Sequence, residues 1–379
     1  MSSSQLGGRL AFHDALDFVE LGPAHGRTAN EGSTKRYMSV RPAWITGADL
    51  PFDRKDYGPG RPVPFNGTAT YGGHVYAQSG LVAAKCFEES QARSDEDAPK
   101  KQYGIHTVHG YFAEAGAADR PFIYEVQVLA TNAGFHNLIV TVRQPTRPST
   151  DLSRGVFPLE DSRLPLGPVC FTALVSFRPA GVSQAKLQEE PAQKRFHDIL
   201  SSRPPPAWDP VPLSDIDSVN AQLPTPEVGT FPGLHMHKVD MREYNKGKPL
   251  HERRELLLYR LLAPLPQSAG SSMHIMCHAF EADRNSLFML GNHAGFGFDF
   301  GRAASLSYSF VVHVNPEDAV MKYGEDEWWI QEVCFPRLEA GRGIVMSKLW
   351  SPAGVHIATE YQDGIIRRQW REGERQGKL

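Results

Sequence analysis

An acidic residue on the apolar side of a predicted helix is the first candidate for chemistry in this sequence. Residues 273–287 place apolar side chains at spacings of three, four and seven, which is typical of one buried helical face. Asp283 lies three residues after Phe280 and four before Leu287, so it falls on that face. A carboxylate there must be hydrogen-bonded or protonated, and such groups often act as acids or bases. Asp283 is therefore a candidate catalytic group, although a carboxylate that caps a neighbouring loop, or a shorter helix, would also fit the pattern.

A pair of glycines begins a second predicted helix. Gly72 and Gly73 stand between Tyr71 and an apolar segment that continues to Phe87. Because glycine has no Cβ, the backbone here can approach another group closely, and the N–H groups at a helix start can bind an anion or a carbonyl oxygen. The pair is a candidate binding element. A plain turn before a core helix is an equally good interpretation.

Three other polar patterns are weaker when taken singly. Ser305 begins a segment in which serines alternate with apolar residues, and most such serines occupy the wetter face of a strand. Gln362 ends another strand-like segment and is unremarkable by itself. His106 and His109 have a metal-ligand spacing only on a helix, whereas their neighbours favour a strand that separates the two side chains. We expect these histidines to be structural or to line a pocket.

Composition excludes several classes of protein. The chain has 379 residues, 22% charged, with a formal net charge of −3, so there is no electrostatic reason to expect nucleic-acid binding. No apolar run reaches the roughly 18 residues of a membrane helix, and residues 1–9 lack the apolar core of a signal peptide. No metal or other cofactor is predicted. The cysteines form neither a CxxC pair nor a zinc-binding spacing and are expected to be reduced, mostly buried thiols: Cys86, Cys170, Cys277 and Cys334.

The elements that would position the candidate residues occur in the same order twice. Each half has one apolar helix followed by four strands, and this order favours an α+β fold in which a curved antiparallel sheet wraps a central helix, made twice. The first helix, near residues 71–87, precedes strands at 105–112, 122–130, 138–143 and 171–177; the second, at 273–287, precedes strands at 305–314, 328–335, 343–350 and 355–361.

Proline-rich segments suggest how the chain is divided. We expect an N-terminal unit at residues 1–182, a proline-rich linker at 183–232 and a C-terminal unit at 233–379 that carries the candidate catalytic residues. The linker is predicted to contain one short helix at 183–200. Residues 47–64, rich in Pro, Gly and Asp, are predicted to form an insertion or lid loop.

Four local segments resemble the acyl-CoA thioesterase II family, the double-hotdog enzymes of bacteria and peroxisomes. They occur in the family's order, and the resemblance spans roughly residues 15–368. The segments are Tyr71-Gly72-Gly73-His74-Val75 before the first helix, His106-Thr107-Val108-His109-Gly110-Tyr111-Phe112 on a strand, Ala279-Phe280-Glu281-Ala282-Asp283 on the second helix and Tyr361-Gln362-Asp363-Gly364-Ile365-Ile366-Arg367 near the end.

The resemblance implies a double hotdog fold and a hydrolytic site. In the family an Asp, a Ser or Thr and a Gln hold and activate a water, and these roles fall on Asp283, Ser305 and Gln362. An oriented water can suffice because a thioester has a good leaving group. The resemblance also implies an acyl-CoA substrate and, by analogy, a homo-oligomer. Candidate substrate-binding or oxyanion residues are Gly72, Gly73, His74, His109 and Tyr111.

We expect a divergent, eukaryotic member of the family, and three segments depart from the family pattern. The family's Leu-Arg-Pro-Gly is here Ala113-Glu114-Ala115-Gly116, its Ser-Phe-x-x-Arg becomes residues 134–138 without the arginine, and its Asp-His-Ser is Ser307-Tyr308-Ser309. The first two changes affect expected CoA or acyl contacts. Alternatives to an ordinary acyl-CoA thioesterase are a hydrolase for a specialised biosynthetic thioester and a hotdog protein that binds acyl-CoA without turnover.

The last three residues, Gly377-Lys378-Leu379, differ by one small residue from the peroxisomal Ser-Lys-Leu address. We therefore expect a peroxisomal protein. If these residues are only a polar tail, a cytoplasmic location is expected.

Overall fold

The computed structural model describes residues 8–22, 34–47, 69–94, 102–132, 134–212, 215–221, 229–297 and 300–368. Almost all of the predicted lid loop at 47–64 and the whole of the Gly377-Lys378-Leu379 tail lie outside these ranges. Among the described residues, no helix is long and apolar enough to cross a membrane.

Strands dominate the described chain. The strands are β1 (Phe18–Leu21), β2 (Lys35–Ser39), β3 (Tyr103–Phe112), β4 (Ile123–Thr131), β5 (His136–Pro145), β6 (Leu166–Pro179), β7 (Asp209–Pro210), β8 (Leu234–Lys238), β9 (Arg254–Leu261), β10 (Phe300–Val312), β11 (Trp329–Glu339), β12 (Arg342–Trp350) and β13 (His356–Arg368). The helices are α1 (Phe12–Ala15), α2 (Gly72–Ser94), α3 (Ala192–Arg195), α4 (His197–Leu200), α5 (Asp217–Asn220), α6 (Arg242–Asn245), α7 (Ser271–Ala282) and α8 (Ser286–His293).

The strands of the two halves form one continuous antiparallel sheet. Its order is β1-β2-β4-β5-β6-β3-β10-β13-β12-β11-β9-β8-β7, so the halves join where β3 pairs with β10. His109 lies opposite Ser309 at this junction. Each half contributes one long apolar helix, and each predicted strand that follows a helix is present. The double hotdog fold, an α+β arrangement, is therefore confirmed.

The two central helices α2 and α7 pack closely against each other. A Cβ atom at Gly80 of α2 would lie only 2.0 Å from the sulfur of Met276 on α7, so a larger residue could not be accommodated without a shift. Tyr76 on α2 and Tyr308 on β10 also meet, with ring centroids 4.3 Å apart. This close approach brings the start of α2 next to the end of α7.

The helix predicted over residues 273–287 is interrupted, contrary to the sequence pattern. α7 ends at Ala282, Asp283 is its C-cap, and Asn285 adopts a left-handed conformation with φ of 59° before α8 begins at Ser286. The Asn285 side chain stabilises this turn by donating to Pro212 O at 2.9 Å, and asparagine tolerates left-handed backbone well. At the other end of α7, Gly270 occupies the N-cap position, and among the described residues no side-chain hydrogen bond caps the helix.

The helix predicted over residues 183–200 is wrong as well. Only the single turns α3 and α4 form, beginning after Pro191. Residues 192–208 instead lie against the C-terminal half, where Phe196 and Trp208 join a second apolar cluster with Trp328 and Trp350. We call residues 192–208 the strap. Arg195 of the strap binds the buried Glu332 on β11 with both guanidinium nitrogens.

Candidate active site

A cavity of about 840 Å³ lies where the start of α2 meets the turn between α7 and α8. Strands β3 and β10 and the middle of β13 complete its walls. Asp283, Ser305 and Gln362 all line it. The fold thus brings the three sequence-predicted catalytic residues to one place from three separate elements.

The carboxylate of Asp283 is buried, and both of its oxygens accept hydrogen bonds. Oδ2 accepts from the backbone N–H of Gly73 at 2.6 Å, and Oδ1 accepts from Gln362 Nε2 at 2.5 Å. Burial raises the pKa of Asp283 to about 7, although the bonds from Gly73 and Gln362 and the charge of Arg284 act in the opposite direction. A carboxylate with a pKa near neutrality can accept a proton and release it under ordinary conditions.

Gln362 connects the acid to the hydroxyl. Its Nε2 donates to Ser305 Oγ at 2.8 Å as well as to Asp283. Its Oε1 accepts a hydrogen bond from the hydroxyl of Ser286, the first residue of α8. Four side chains therefore form one hydrogen-bonded group on the wall of the cavity.

An irregularity in β10 explains why Ser305 reaches this group. The pairing of β10 with β13 shifts register between Ser305 and Ser307. In strict alternation Ser305 would point to the same side as Ser307 and Ser309, away from the buried Tyr308. A bulge changes which face a residue presents, and here it turns Ser305 into the cavity.

The glycine pair lies beside Asp283 at the start of α2. Gly72 lines the cavity, and a Cβ atom at that position would lie 3.2 Å from Asp283 Oδ2. The N–H of Gly73 is already bonded to Asp283. The pair thus provides close backbone approach, and Gly73 holds the acid.

The other binding candidates lie away from the cavity. His74 is buried beside the ring of Phe122, with centroids 6.3 Å apart, and burial lowers its pKa to about 3. His109 and Tyr111 lie on the outer face of β3, where His109 Nδ1 is 3.0 Å from Ser309 Oγ and Tyr111 is 69% exposed. The structure does not bring these three residues to Asp283.

Ser286 is a member of the group that sequence reasoning missed. It lies three residues after Asp283, within the segment predicted as uninterrupted helix, and its hydroxyl bonds Gln362. The sequence gives only one local sign of this role: a polar residue, Ser286, stands directly before Leu287, which lies on a largely apolar face. Within the described residues, no group of three or more His, Cys, Asp or Glu side chains could hold a metal ion.

Sequence comparison relates this chain to one family of enzymes. Residues 61–178 match the family model described as the acyl-CoA thioesterase N-terminal domain. Acyl-coenzyme A thioesterase 8 of Mus musculus is 23% identical over 78% of this chain and 80% of the relative. The chain is thus similar in sequence to acyl-CoA thioesterases. The corresponding Rattus norvegicus protein is 22% identical over 80% of this chain and 82% of its own.

Solved structures support the fold independently. An acyl-CoA thioesterase II from Mycobacterium marinum superposes with a TM-score of 0.55 at 18% identity, covering 94% of this chain and 98% of that one. A hotdog-fold protein from Alicyclobacillus acidocaldarius gives 0.52 at 14% identity, covering 95% and 98%. The family match and the named relatives indicate a thioester hydrolase.

Proposed function

We propose that this protein hydrolyses an acyl-CoA thioester with a water that Asp283 activates. The observation that carries the proposal is the carboxylate itself, which is buried at a cavity, hydrogen-bonded on both oxygens and held at a pKa of about 7. A general base works best when its pKa lies near the operating pH. No covalent nucleophile is required, because CoA thiolate is a good leaving group.

In the proposed reaction, Ser305 and Gln362 orient the water and Asp283 removes its proton. The water oxygen forms a bond to the thioester carbonyl carbon, and the carbon–sulfur bond then breaks. The proton held by Asp283 passes to the departing sulfur, which leaves the free acid and CoA thiol as products. The N–H of Gly72, beside Asp283 at the start of α2, is our candidate donor to the oxyanion that develops on the carbonyl.

The walls of the cavity support an apolar acyl group. Val75, Phe112, Phe122, Phe171 and Leu306 surround the space beyond Asp283. Apolar and aromatic walls with a few convergent polar groups are typical of small-molecule sites. The acyl chain would therefore lie between the two halves, with its carbonyl at the polar group.

A specialised acyl thioester is the second candidate substrate. The segment that departs from the family pattern, residues 113–116, lines the cavity, and it includes the exposed Glu114. A carboxylate at this position favours a different set of substrate contacts from the arginine of the family pattern. This observation supports a narrow substrate range.

Free-thiol release from a panel of acyl-CoAs, from acetyl to palmitoyl and including branched chains, tests the proposal. We expect turnover of at least one member, and the distribution over the panel separates a broad from a specialised hydrolase. Calorimetry with a non-hydrolysable acyl-CoA measures binding separately from hydrolysis. Tight binding without any thiol release would contradict hydrolysis and indicate a binding protein.

A further inference from the structure

Ser286 lies in the wall of the cavity, and its side chain is directed at the carboxamide of Gln362. It is 2% exposed, and its hydroxyl donates to Oε1 of Gln362. The carbonyl oxygen of Asp283 lies 3.3 Å from the same hydroxyl. Ser286 therefore bonds the amide that holds the acid. Among the described contacts, its side chain makes no hydrogen bond to the Asp283 carboxylate itself.

The direction of the Gln362 carboxamide matters because its two ends have opposite character. With Nε2 toward the cavity, the amide donates to both Asp283 and Ser305. Rotated by half a turn, the amide would place its carbonyl oxygen next to the Asp283 carboxylate, where two acceptors repel and the acid loses a donor. Which direction prevails depends on what bonds the other end of the amide.

We propose that Ser286 is a positioning residue, whose hydroxyl fixes the Gln362 carboxamide with Nε2 toward Asp283 and Ser305. The inference rests on the proposed function, in which Gln362 orients the water and holds the acid. As a donor to Oε1, the hydroxyl occupies the acceptor end of the amide, and the donor end then faces the acceptors Asp283 and Ser305.

The turn between α7 and α8 fixes Ser286 in this position. Asn285, with its left-handed backbone, is anchored through its side chain to Pro212 O. Leu287, the next residue after Ser286, packs directly on β13, since a Cβ atom at Gly364 would lie 2.5 Å from Leu287 Cδ1. Gly364 is two residues after Gln362 and faces the same side of the strand. These contacts thus fix the position of helix α8 relative to Gln362.

Replacing the Ser286 hydroxyl tests the positioning role through kcat, KM and the pH–rate profile. In Ser286→Ala we expect kcat to fall about tenfold with little change in KM, because a partly rotated amide orients the water and the acid less often. The acid limb of the pH–rate profile should also move to higher pH, since the charged form of Asp283 loses a donor. Ser286→Thr keeps a hydroxyl and should restore most of the activity. Ser162→Ala, which removes an exposed hydroxyl bonded to Leu159 O, is the control.

A double-mutant cycle with Gln362→Ala decides whether Ser286 acts through the amide. The Ser286→Ala change should have no further effect on kcat when Gln362 is already alanine. Losses that multiply in the double variant, or a Ser286→Ala enzyme with wild-type kcat and pH profile, would overturn the inference. If Ser286→Ala does not fold, Ser286→Cys keeps the size but donates weakly, and the same cycle applies. Should Asp283→Asn retain full activity, the proposed function fails, whereas coupling between Ser286 and Gln362 would still be measured separately.

Discussion

Asp283 and Gln362, 79 residues apart in the chain, are joined by a hydrogen bond of 2.5 Å from Gln362 Nε2 to Asp283 Oδ1. Asp283 caps the C-terminal end of α7, the central helix of the C-terminal hotdog. Gln362 lies in the middle of strand β13. The bond therefore ties the helix to the sheet at the point where the cavity opens. It also stabilises the charged form of an acid whose pKa burial raises to about 7.

The pH dependence of hydrolysis should report Asp283. Because the base must be deprotonated, kcat/KM should fall as the pH drops through about 7. Gln362→Ala removes a donor to the charged carboxylate, so the acid limb should move to higher pH. Initial rates of thiol release between pH 5 and pH 9 check this. An acid limb that does not move in Gln362→Ala would contradict the assignment of the limb to Asp283.

Gly72→Ala should damage catalysis without loosening the fold. The added Cβ would lie 3.2 Å from both Asp283 Oδ2 and the ring of Phe112, so the carboxylate must shift. We expect kcat to fall about tenfold or more, while the midpoint of thermal unfolding is kept because alanine favours a helix over glycine by about 1 kcal/mol. Gly181→Ala is the control, since a Cβ there meets none of the described residues within 4 Å. Unchanged kcat in Gly72→Ala would show that the carboxylate tolerates displacement.

A second buried acid should limit stability at high pH. Glu281 on α7 is fully buried, and neither of its oxygens has a hydrogen-bond partner among the described residues. Burial first, and then the nearby Glu360, raise its pKa well above the ordinary range. The folded protein therefore keeps the Glu281 proton at pH values where the unfolded chain, in which the pKa of this group is lower, releases it. The free energy of unfolding is therefore highest in acid and falls as the pH rises.

Glu281→Gln removes this penalty. The free energy of unfolding should increase at pH 8 and change little near pH 4, where both states keep the proton. Denaturant unfolding at the two pH values measures the difference. Glu160→Gln, at an exposed position, should show no such dependence. A Glu281→Gln protein that is less stable than wild type at pH 8 would mean that the carboxylate is ionised and paired.

The strap should contribute to stability through Arg195. Its guanidinium binds Glu332, which is 3% exposed and also accepts from Trp350 Nε1 at 3.1 Å. Arg195→Ala leaves that charge buried with fewer partners and should cost about 2 kcal/mol. Arg242→Ala breaks an exposed pair with Asp240 and should cost less than about 1 kcal/mol. Equal losses in the two variants, measured by denaturant unfolding, would contradict a stabilising role of the strap.

Sequence patterns predicted the order of the central helices and strands because hydrophobic periodicity reports which face of each element is buried. The same periodicity placed Asp283 on the buried side of α7. Residues 183–200 were wrongly predicted as one helix, because the packing of Phe196 and Trp208 against the sheet overrides local helix preference. Tertiary contacts of this kind leave no periodic signal.

The geometry of the catalytic group required the structure. The bulge at Ser305 reverses the face that strict alternation assigns to it, and the turn at Asn285 delivers Ser286 to Gln362. Neither feature has a pattern that a single sequence shows. His109 and Tyr111 illustrate the opposite case, since they belong to a family-like segment and yet face outward on β3.

Hydrolysis of acyl-CoA by wild type and Asp283→Asn, compared under identical conditions, tests whether Asp283 is the catalytic base. We expect thiol release by the variant to be at least about a hundredfold slower, because asparagine cannot accept the proton of water. The variant should remain folded at pH 8, where the buried carboxylate no longer opposes folding, and thermal unfolding at that pH confirms this. A folded Asp283→Asn protein with wild-type turnover would contradict the account.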